Sequence, residues 1–386
     1  METSKHIEHK HHNIKKELIS FAKKNAVLLI AVLAAMITSF IVPPDKEYLG
    51  YFDFKTLSCL FSVLAVVCAL RNIRFFTILA RKIVRLCKNA RLCVLTLIYI
   101  TFLGSMLIAN DMALITFLPL GFFALDSTGK QKYLPFTFVM QNISANLGGM
   151  ITPFGNPQNL YLYSKFGIPT GEFTLIMLFP FVVSVAMITV FCIVFVKKEP
   201  LMIIPKVEKL NVKKAVFYAV LFVLSILAVF NIVPYFIVMW IIIVSLIIVD
   251  HKALAKVDYG LLFTFCAFFV FAGNMSRIQI VNDVLSFLLS KNTLIFSAFS
   301  CQFISNVPSA ILLSNFTDNY AHLLLGVNIG GVGTLISSLA SLITFREYTS
   351  LYPQNTLRYL MKFSIFNFIF LFGLLFLQSI FNIIVA

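Results

Sequence analysis

Two groups of amide and hydroxyl side chains stand out in this sequence because apolar residues surround both of them. Side-chain and backbone oxygens are the ligands that hard cations prefer. Each group therefore predicts an ion-binding site, whereas the alternative is that these side chains only join helices inside a membrane. The first group is Asn110, Asn146, Thr152, Asn156 and Asn159, and the second is Ser305, Asn306, Asn328, Thr334, Ser337 and Ser338.

Asp111 differs from these side chains because it carries a charge. It lies between the apolar stretches LIAN and MALITFLPL. An ionisable residue inside a membrane segment is costly, so its presence there is a hypothesis of function. Its carboxylate can coordinate a cation or exchange a proton. A salt bridge, or a cap on a helix that begins at Met112, is the structural alternative, and it is compatible with the functional one.

The segments that hold these residues occur twice in the chain. NLGGMIT at 146–152 aligns with NIGGVGT at 328–334, which pairs the asparagines, the Gly-Gly steps and the threonines. IANDMALITFLP at 108–119 aligns with ISNVPSAILLSN at 304–315. Only 16 residues of the chain are glycine, so a matched Gly-Gly step indicates an internal repeat.

Each repeat contains two interruptions of an apolar run. Polar residues end the first run after about a dozen residues, too few to span a bilayer. This predicts re-entrant hairpins with tips at Asn110–Asp111 and Ser305–Asn306. Gly155 and Pro157 in the first half, and the glycines within 330–333 in the second, predict a broken helix. Carbonyls freed by such a break attract cations, and freed N–H groups attract anions.

The composition requires lipid as the solvent for these elements. Of 386 residues, 60% are hydrophobic and 12% are charged, whereas soluble domains carry about 25% charged residues. The chain is therefore predicted to be an all-α polytopic membrane protein with about eleven spans or half-spans. No small-residue cleavage pattern follows the first apolar run, so we expect a retained span. Runs long enough to cross a bilayer are 26–42, 216–233, 236–249 and 363–386.

The net charge of +15 is concentrated in basic segments that border the apolar runs, and such segments face the cytoplasm. No recognised motif or stacking platform accompanies them, so nucleic acid is not a predicted partner. An odd number of spans before the central loop would invert the second half, and inverted repeats with broken helices are typical of secondary transporters. The predicted parts are a basic cytoplasmic tail (1–25), a first membrane repeat (26–196), a cytoplasmic loop (197–214) and a second membrane repeat (215–386).

Other classes of site and of protein fit less well. The seven cysteines show no paired spacing and fit small hydrophobic residues better than a metal site or a disulfide framework. No ATP-binding motif is present, so an ion gradient is the expected driving force and no cofactor is predicted. A membrane enzyme needs paired acids or an activated nucleophile, and neither is recognised in this sequence. A channel does not need an internal repeat, so the repeat favours a transporter.

Four motifs in this order resemble the ion transporter superfamily with a citrate-transporter-like domain. They are ANDMALITFLP, GGMITPFGNPQNL, SNVPSAILL and NIGGVGTLISSLASL. That group includes arsenite permeases, sodium/proton antiporters and divalent-anion/sodium symporters. The resemblance implies a homodimer in which each protomer has a scaffold domain and an elevator-like transport domain. It also places Gly155-Asn156-Pro157 and residues 334–338 near the substrate.

The hairpin tips depart from those of carboxylate symporters, which carry Ser-Asn-Thr at both tips. This chain has Ala-Asn-Asp and Ser-Asn-Val instead. A fixed charge at Asp111 would oppose a dicarboxylate by roughly 1–4 kcal/mol at 4 Å in partly hydrated surroundings. The Asn-Asp pair is more similar to the arsenite-permease and antiporter branches.

The sequence thus predicts a secondary active transporter, and no enzyme, in the cell (inner) membrane. Its N-terminus would be cytoplasmic and its C-terminus external. The expected substrate is a small inorganic or carboxylate ion, moved by alternating access and coupled to Na⁺ or H⁺. The alternative is Na⁺/H⁺ or arsenite/H⁺ antiport. The predicted Na⁺ ligands are Asn110, Asp111, Ser305 and Asn306.

Overall fold

The computed structural model describes residues 26–201 and 209–385. The predicted tail at 1–25 and the centre of the predicted loop, residues 202–208, lie outside this range. The described residues form helices and no β-strand, apart from an isolated bridge between Asn89 and Pro200. The α-helices are α1 (Ala26–Ile41), α2 (Phe54–Asn72), α3 (Phe75–Val84), α4 (Ala90–Ile108), α5 (Asn110–Asp126), α6 (Leu134–Gly148), α7 (Pro157–Phe166), α8 (Thr170–Phe195), α9 (Val212–Val229), α10 (Tyr235–Ala255), α11 (Tyr259–Arg277), α12 (Gln279–Ile304), α13 (Asn306–Leu313), α14 (Tyr320–Ile329), α15 (Leu339–Leu351) and α16 (Thr356–Val385).

Eight helices of the described ranges are long and apolar enough to cross a membrane, which confirms the prediction of a polytopic helical membrane protein. Large apolar side chains on their outer faces are exposed, such as Ile248 at 76% and Ile383 at 78%. Lipid is the solvent that such surfaces need. The helix predicted to be the first span, α1, has 16 residues from the first described position and belongs with the shorter apolar helices. The eight spans are α2, α4, α8, α9, α10, α11, α12 and α16.

The chain divides into two compact units. Unit 1 contains the described residues 26–52 and 258–282, so that α1 packs against α11. Buried Asn274 donates hydrogen bonds to Ser39 Oγ at 3.2 Å and to Thr38 Oγ1 at 3.3 Å. At the end of α11, Arg277 pairs with Asp45 at 2.7 Å. The guanidinium lowers the pKa of Asp45, and the pair holds the loop after α1 against α11.

Unit 2 contains the described residues 53–201, 209–257 and 283–385, and it holds every predicted site residue. Helix α4 packs along both α5 and α6, and α2 packs along α10. Large side chains fill these contacts, and Phe102 and Phe138 are almost completely buried. The predicted hairpins and broken helices therefore lie within one packed body.

The arms of the two hairpins differ in length. Helix α4 has 19 residues, so the expectation of about a dozen residues before the first hairpin tip is wrong. The helix reaches back to Asn89, whose Oδ1 caps it by accepting the Leu92 N–H at 2.9 Å. Helix α12 is interrupted at Asn292 (φ −164°, ψ 92°), which leaves about three helical turns before the second hairpin tip.

Glu199 ties the chain after α8 to the loop between α5 and α6. Its carboxylate accepts hydrogen bonds from Lys130 Nζ at 2.8 Å, Lys132 Nζ at 2.5 Å and the Tyr133 hydroxyl at 2.9 Å. These hydrogen bonds lower the pKa of Glu199 to about 2. Its backbone carbonyl also accepts the Ala90 N–H at 2.8 Å. One acidic residue thus connects the starts of α4 and α6 with the end of α8.

Candidate functional site

The two hairpin turns have the same local geometry. The reversal between α4 and α5 falls on Ala109 (φ 63°, ψ 153°), and that between α12 and α13 falls on Ser305 (φ 76°, ψ 159°). In both turns the next residue is asparagine, and its Oδ1 accepts the following backbone N–H. The distances are 3.0 Å for Asn110 and 2.9 Å for Asn306. The first reversal thus lies one residue before the predicted tip, and the second lies within it.

Asp111 occupies the first turn of α5 and is half-buried. The partial positive charge at a helix N-terminus favours a carboxylate at this position. The predicted helix start at Met112 is wrong, because α5 begins at Asn110 and Ala109 is the residue before it. Asp111 therefore lies inside the first turn, where its N–H donates to Asn110 Oδ1. Val307 takes the equivalent position at the second turn, so the charge is present at one turn and absent from the other.

The first helix break separates α6 from α7. A 3₁₀ turn at Gly149–Ile151 and extended backbone at Thr152 follow α6, and Pro157 starts α7. The Asn159 amide donates to the carbonyls of Gly149, Met150 and Thr152, each at 3.2 Å. Asn159 therefore satisfies backbone oxygens that a continuous helix would have satisfied itself.

Gly155 allows a tight turn within the first break, and Thr152 bonds this break to the first hairpin. A Cβ on Gly155 would collide with the Gly149 carbonyl oxygen, so the turn accepts only glycine at this position. Thr152 Oγ1 donates to the Met106 carbonyl, in the last turn of α4, at 3.0 Å. The break and the first hairpin are thus directly bonded.

The second break separates α14 from α15 and uses different side chains. Gln302 Nε2, in the last turn of α12, donates to the Gly330 carbonyl at 2.9 Å and the Val332 carbonyl at 3.2 Å. Thr334 Oγ1 donates to the Gln302 carbonyl at 3.0 Å. Because Gln302 and Met106 both lie four residues before the tip asparagine, the two threonine contacts are equivalent. The second break is therefore bonded to its own hairpin in the same way as the first.

Three predicted serines make local hydrogen bonds at the second break. Ser337 Oγ donates to the Gly331 carbonyl at 2.9 Å and to the Thr334 carbonyl at 2.8 Å. Ser338 caps α15 by accepting the Ser341 N–H at 3.2 Å. Ser305 Oγ donates to the Ser337 carbonyl at 3.3 Å. These hydrogen bonds of the serines stabilise the irregular backbone of the second break.

Asparagines join the two breaks at a place that we call the junction, formed by Asn146, Asn156, Asn159 and Asn328. Asn328 Nδ2 donates to Asn159 Oδ1 at 2.6 Å. Asn156 Nδ2 donates to Asn328 Oδ1 at 3.5 Å and to the Asn146 carbonyl at 3.4 Å. All four residues are at least 98% buried, so these amides are shielded from solvent. Hydrogen bonds link the side chains of Asn156, Asn328 and Asn159, and Asn146 joins them through its backbone carbonyl.

Both hairpin tips approach the junction beside Gly331. Asn110 Nδ2 donates to Asn146 Oδ1 at 3.2 Å. A methyl group on Gly331 would lie 3.2 Å from Asn306 Nδ2 and 3.6 Å from Asn146 Oδ1. The absence of a side chain at Gly331 lets the second tip come near the residue that the first tip contacts. The structure thus gathers the two tips and the two breaks in one region.

The junction continues into residues that the sequence analysis missed. Asn146 Nδ2 donates to the Asn142 carbonyl at 3.1 Å, and Asn142 Nδ2 donates to Asn367 Oδ1 at 3.2 Å. Asn142 lies one helical turn before Asn146, a spacing that could have identified it. Asn367 and Gln302 lie outside the repeated motifs, and no motif or repeat spacing signals them.

The donor set of the site suits a hard monovalent cation better than a transition metal. Within residues 26–201 and 209–385, no group of three or more His, Cys, Asp or Glu side chains could hold a metal ion. The oxygens gathered here belong to amides, hydroxyls and backbone carbonyls, and Asp111 is the acidic residue beside the first tip asparagine. Asn156 Oδ1 is buried and accepts no hydrogen bond from the described residues. Such an oxygen fits a cation ligand.

Comparison with known proteins places these motifs in a family. A profile of the citrate transporter family matches residues 18–324, which includes both hairpin turns and the first break. The chain is 32% identical to "Uncharacterized transporter MJ0456" of Methanocaldococcus jannaschii over 326 residues, which are 83% of this chain and 88% of the relative.

Two further relatives are more distant. The chain is 25% identical to "Inner membrane protein YbiR" of Escherichia coli K12 over 328 residues, which are 82% of this chain and 86% of the relative. It is 22% identical to "Putative transporter arsB" of Dictyostelium discoideum over 166 residues, which are 43% of this chain and 29% of the relative. The resemblance that the sequence motifs indicated is confirmed.

Proposed function

The chain belongs to the citrate transporter family, and from this premise we propose that it is a secondary active transporter. It moves a small anion or inorganic ion across the membrane by alternating access, coupled to a gradient of Na⁺ or H⁺. That the protein is a membrane transporter follows from the family and from the relatives named as transporters.

The observation that carries this proposal is the convergence of two hairpin turns and two helix breaks. Unwound backbone at membrane depth persists only against protein or a water-filled cavity. Here buried amides from both halves of the chain support it, with Asn328 bonded to Asn159 at 2.6 Å. Secondary transporters place substrate and coupling-ion sites at such breaks.

We further propose that the two halves are inverted repeats that move in an elevator-like manner, within a homodimer. Matched contacts support the repeat: each tip asparagine accepts the next N–H, and each break threonine donates to the turn before its tip. We also propose a cytoplasmic N-terminus, which the basic residues before the first apolar run favour, and an external C-terminus. The relative named as an inner membrane protein supports a location in the cell membrane.

For the coupling ion, we propose a site at the hairpin tips that contains Asn110, Asp111, Ser305 and Asn306. Asp111 supplies negative charge, and the asparagines supply neutral oxygens. Occupancy by Na⁺ uses Asp111 as a ligand, whereas coupling to H⁺ uses it as the group that gains and loses the proton. The broken segments, with Gly155, Asn156, Pro157 and residues 334–338, lie toward the transported ion.

The alternative within transport is antiport of Na⁺ or arsenite against H⁺. Asp111 favours it, because a carboxylate at one tip suits a cation or a proton better than a carboxylate substrate. The relative named arsB also favours it, although that match covers less than half of this chain.

The test is flux in proteoliposomes made with the purified full-length protein. Liposomes carry an imposed Na⁺ or H⁺ gradient and are offered radiolabelled citrate, succinate, phosphate or arsenite, or ²²Na⁺. We expect saturable uptake of one of them that collapses when the gradient is dissipated by an ionophore. Uptake that is unaffected by either gradient, or passive current far above carrier turnover, would contradict a secondary transporter.

A further inference from the structure

His322 lies in the first turn of α14 and joins this helix to α16. The residue is half-buried, so part of it is accessible to solvent. Nδ1 lies 2.8 Å from Asn319 Nδ2, and Nε2 lies 3.0 Å from Asn382 Nδ2. Both ring nitrogens therefore contact side-chain amides, one from the loop before α14 and one from the end of α16. None of the residues proposed for ion binding takes part in these contacts.

The Asn319 amide determines which ring nitrogen carries the proton. Asn319 is the residue before α14, and its Oδ1 caps the helix by accepting the His322 backbone N–H at 3.2 Å. Its Nδ2 is therefore the end that faces the ring, and it donates to Nδ1. A ring nitrogen that accepts a hydrogen bond carries no proton. The contact thus requires a neutral imidazole with its proton on Nε2.

The Asn382 amide can accept this proton. The two ends of a carboxamide exchange by a half-turn of the side chain, which places the Asn382 oxygen opposite Nε2–H. Gln378 Nε2 contacts the other end of the same amide, with Asn382 Oδ1 at 2.8 Å. A half-turn of Gln378 as well keeps the three side chains bonded in a row. Gln378 Oε1, which is buried and has no partner among the described residues, then accepts from Asn382.

A second proton on the ring would break this arrangement. Imidazolium donates from both nitrogens, so Nδ1–H would face the Nδ2 hydrogens of Asn319. The Asn319 amide can turn to accept this proton only if its oxygen leaves the His322 backbone N–H, which removes the cap of α14. The positive charge would also lie at the N-terminal end of a helix, where cations are disfavoured. The contact between α14 and α16 is therefore compatible with neutral His322 and not with the charged form.

The ionisable groups on the elements packed against α14 are few. Helices α6 and α13 carry none. The others are Tyr161, Tyr163 and Lys165 in α7, Glu172 and Cys192 in α8, and Arg358, Tyr359 and Lys362 in α16. Glu172 accepts the hydroxyl of Tyr320, two residues before His322, at 2.5 Å, and Asp318 is exposed in the loop before α14. Below neutral pH, the groups that can gain a proton here are His322 and these two carboxylates.

Helix α14 connects His322 with the junction. Asn328, in its last turn, donates to Asn159 Oδ1 at 2.6 Å and lies about 9 Å along the helix from His322. The residues between them are buried, so α14 is packed along this length. We propose that neutral His322 is a positioning residue for the junction: it holds α14 against α16, and protonation releases this end of the helix. The effect on transport rests on the proposed function, whereas the contact itself does not.

The first test is hydrogen exchange of the full-length protein in nanodiscs, with rates corrected for the intrinsic effect of pH. The pH is lowered from about 7.5 to about 5, a range that brackets the usual pKa of histidine. Exchange in peptides that cover residues 318–325 should rise by about fivefold or more, the effect of losing a helix cap. His322→Gln, which is neutral throughout this range, should show no such rise.

Three further variants assign the effect to the histidine and its partner. Glu172→Gln removes the carboxylate that accepts from Tyr320 and keeps His322, so it should retain the rise. His251→Gln replaces an exposed histidine of α10 and should respond like the wild-type protein. Asn382→Ala removes the partner on α16, and its exchange at about pH 7.5 should already match that of the wild-type protein at about pH 5.

The second test is the pH profile of uptake in proteoliposomes. Wild-type uptake should fall over the pH range in which exchange rises, and His322→Gln should lack this step. Three outcomes would overturn the proposal: wild-type exchange that does not change with pH, an equal rise in His322→Gln, or identical uptake profiles for the two proteins. A protein that transports none of the offered ions would contradict the proposed function, and hydrogen exchange would still decide whether His322 holds α14.

Discussion

At the residue scale, the junction depends on asparagine and not on charged groups. An asparagine side chain offers two donors and one acceptor oxygen, so it can satisfy freed carbonyls and still bind a neighbour. The two N–H groups of Asn159 are shared among three carbonyls, and its Oδ1 accepts from Asn328. Buried amides that lack partners cost about 1–3 kcal/mol each. The network therefore keeps irregular backbone stable without introducing charge.

Asp111 is the residue whose replacement tests coupling. We expect Asp111→Asn to fold normally, and we expect its initial rate of gradient-driven uptake to fall by about tenfold or more. The physical reason is that a charge contact of 1–4 kcal/mol disappears, and 1.4 kcal/mol corresponds to a factor of ten. The measurement is initial uptake rate in proteoliposomes at equal protein content, with folding checked by size-exclusion chromatography.

A matched control lies on the same helix. Asp126 is the last residue of α5 and is exposed, so Asp126→Asn makes the same chemical change away from the hairpin tip. It should transport like the wild-type protein. Equal, undiminished uptake by both variants would rule out a coupling role for Asp111.

At the element scale, each break is packed tightly against the arm of its own hairpin. A Cβ on Gly148 would meet the Phe102 carbonyl, and one on Gly330 would meet the Ala298 backbone. Phe102 and Ala298 both lie eight residues before the tip asparagine, so the two close approaches are equivalent. Glycine at these positions lets α6 and α14 contact their arms backbone to backbone.

Alanine substitutions test this packing. Gly148→Ala and Gly330→Ala should each destabilise the protein by about 1–3 kcal/mol, because the added methyl forces helices apart. Gly171→Ala is the control, since nothing lies within 4 Å of its Cβ position and alanine gains up to about 1 kcal/mol in a helix. Unfolding titrations in mixed detergent micelles measure all three. Neutral effects at both Gly148 and Gly330 would contradict the close contact.

The repeated motifs allowed much of the site to be predicted from the sequence. NLGGMIT and NIGGVGT placed Asn146 and Asn328 at equivalent breaks, and the structure brings both to the junction. Their role as ion ligands stays a prediction. The length of α4 was not predictable from the polar interruption alone, because its start depends on the Asn89 cap. Asn367 was missed because its partner, Asn142, lies in the other half of the chain.

At the scale of the whole molecule, Glu199 connects three segments that are distant in sequence. Its carboxylate pairs with Lys130 and Lys132, and its carbonyl binds Ala90. Lys132 and Glu199 are in contact with solvent, so salt weakens their ion pair. The cluster fixes the ends of α4, α6 and α8 relative to one another.

This cluster predicts a specific dependence of stability on pH. The folded protein lowers the pKa of Glu199 from 4.5 to about 2. The ionised form therefore stabilises the fold fully above about pH 4.5, and this contribution is lost as the pH falls toward about 2. Thermal midpoints of wild-type protein and Glu199→Gln should differ by a constant amount between about pH 5 and 8, and converge below 4.5. A constant difference down to about pH 3 would contradict this assignment.

The amides of the junction also determine how membrane voltage acts on the protein. Moving one elementary charge through 100 mV is worth about 2.3 kcal/mol, whereas a neutral amide does almost no electrical work when it moves. Asn146, Asn156, Asn159 and Asn328 carry no formal charge. An electric field across the membrane therefore acts on the charge of Asp111 and on the charge of a transported ion, and not on the four asparagines that join the two breaks.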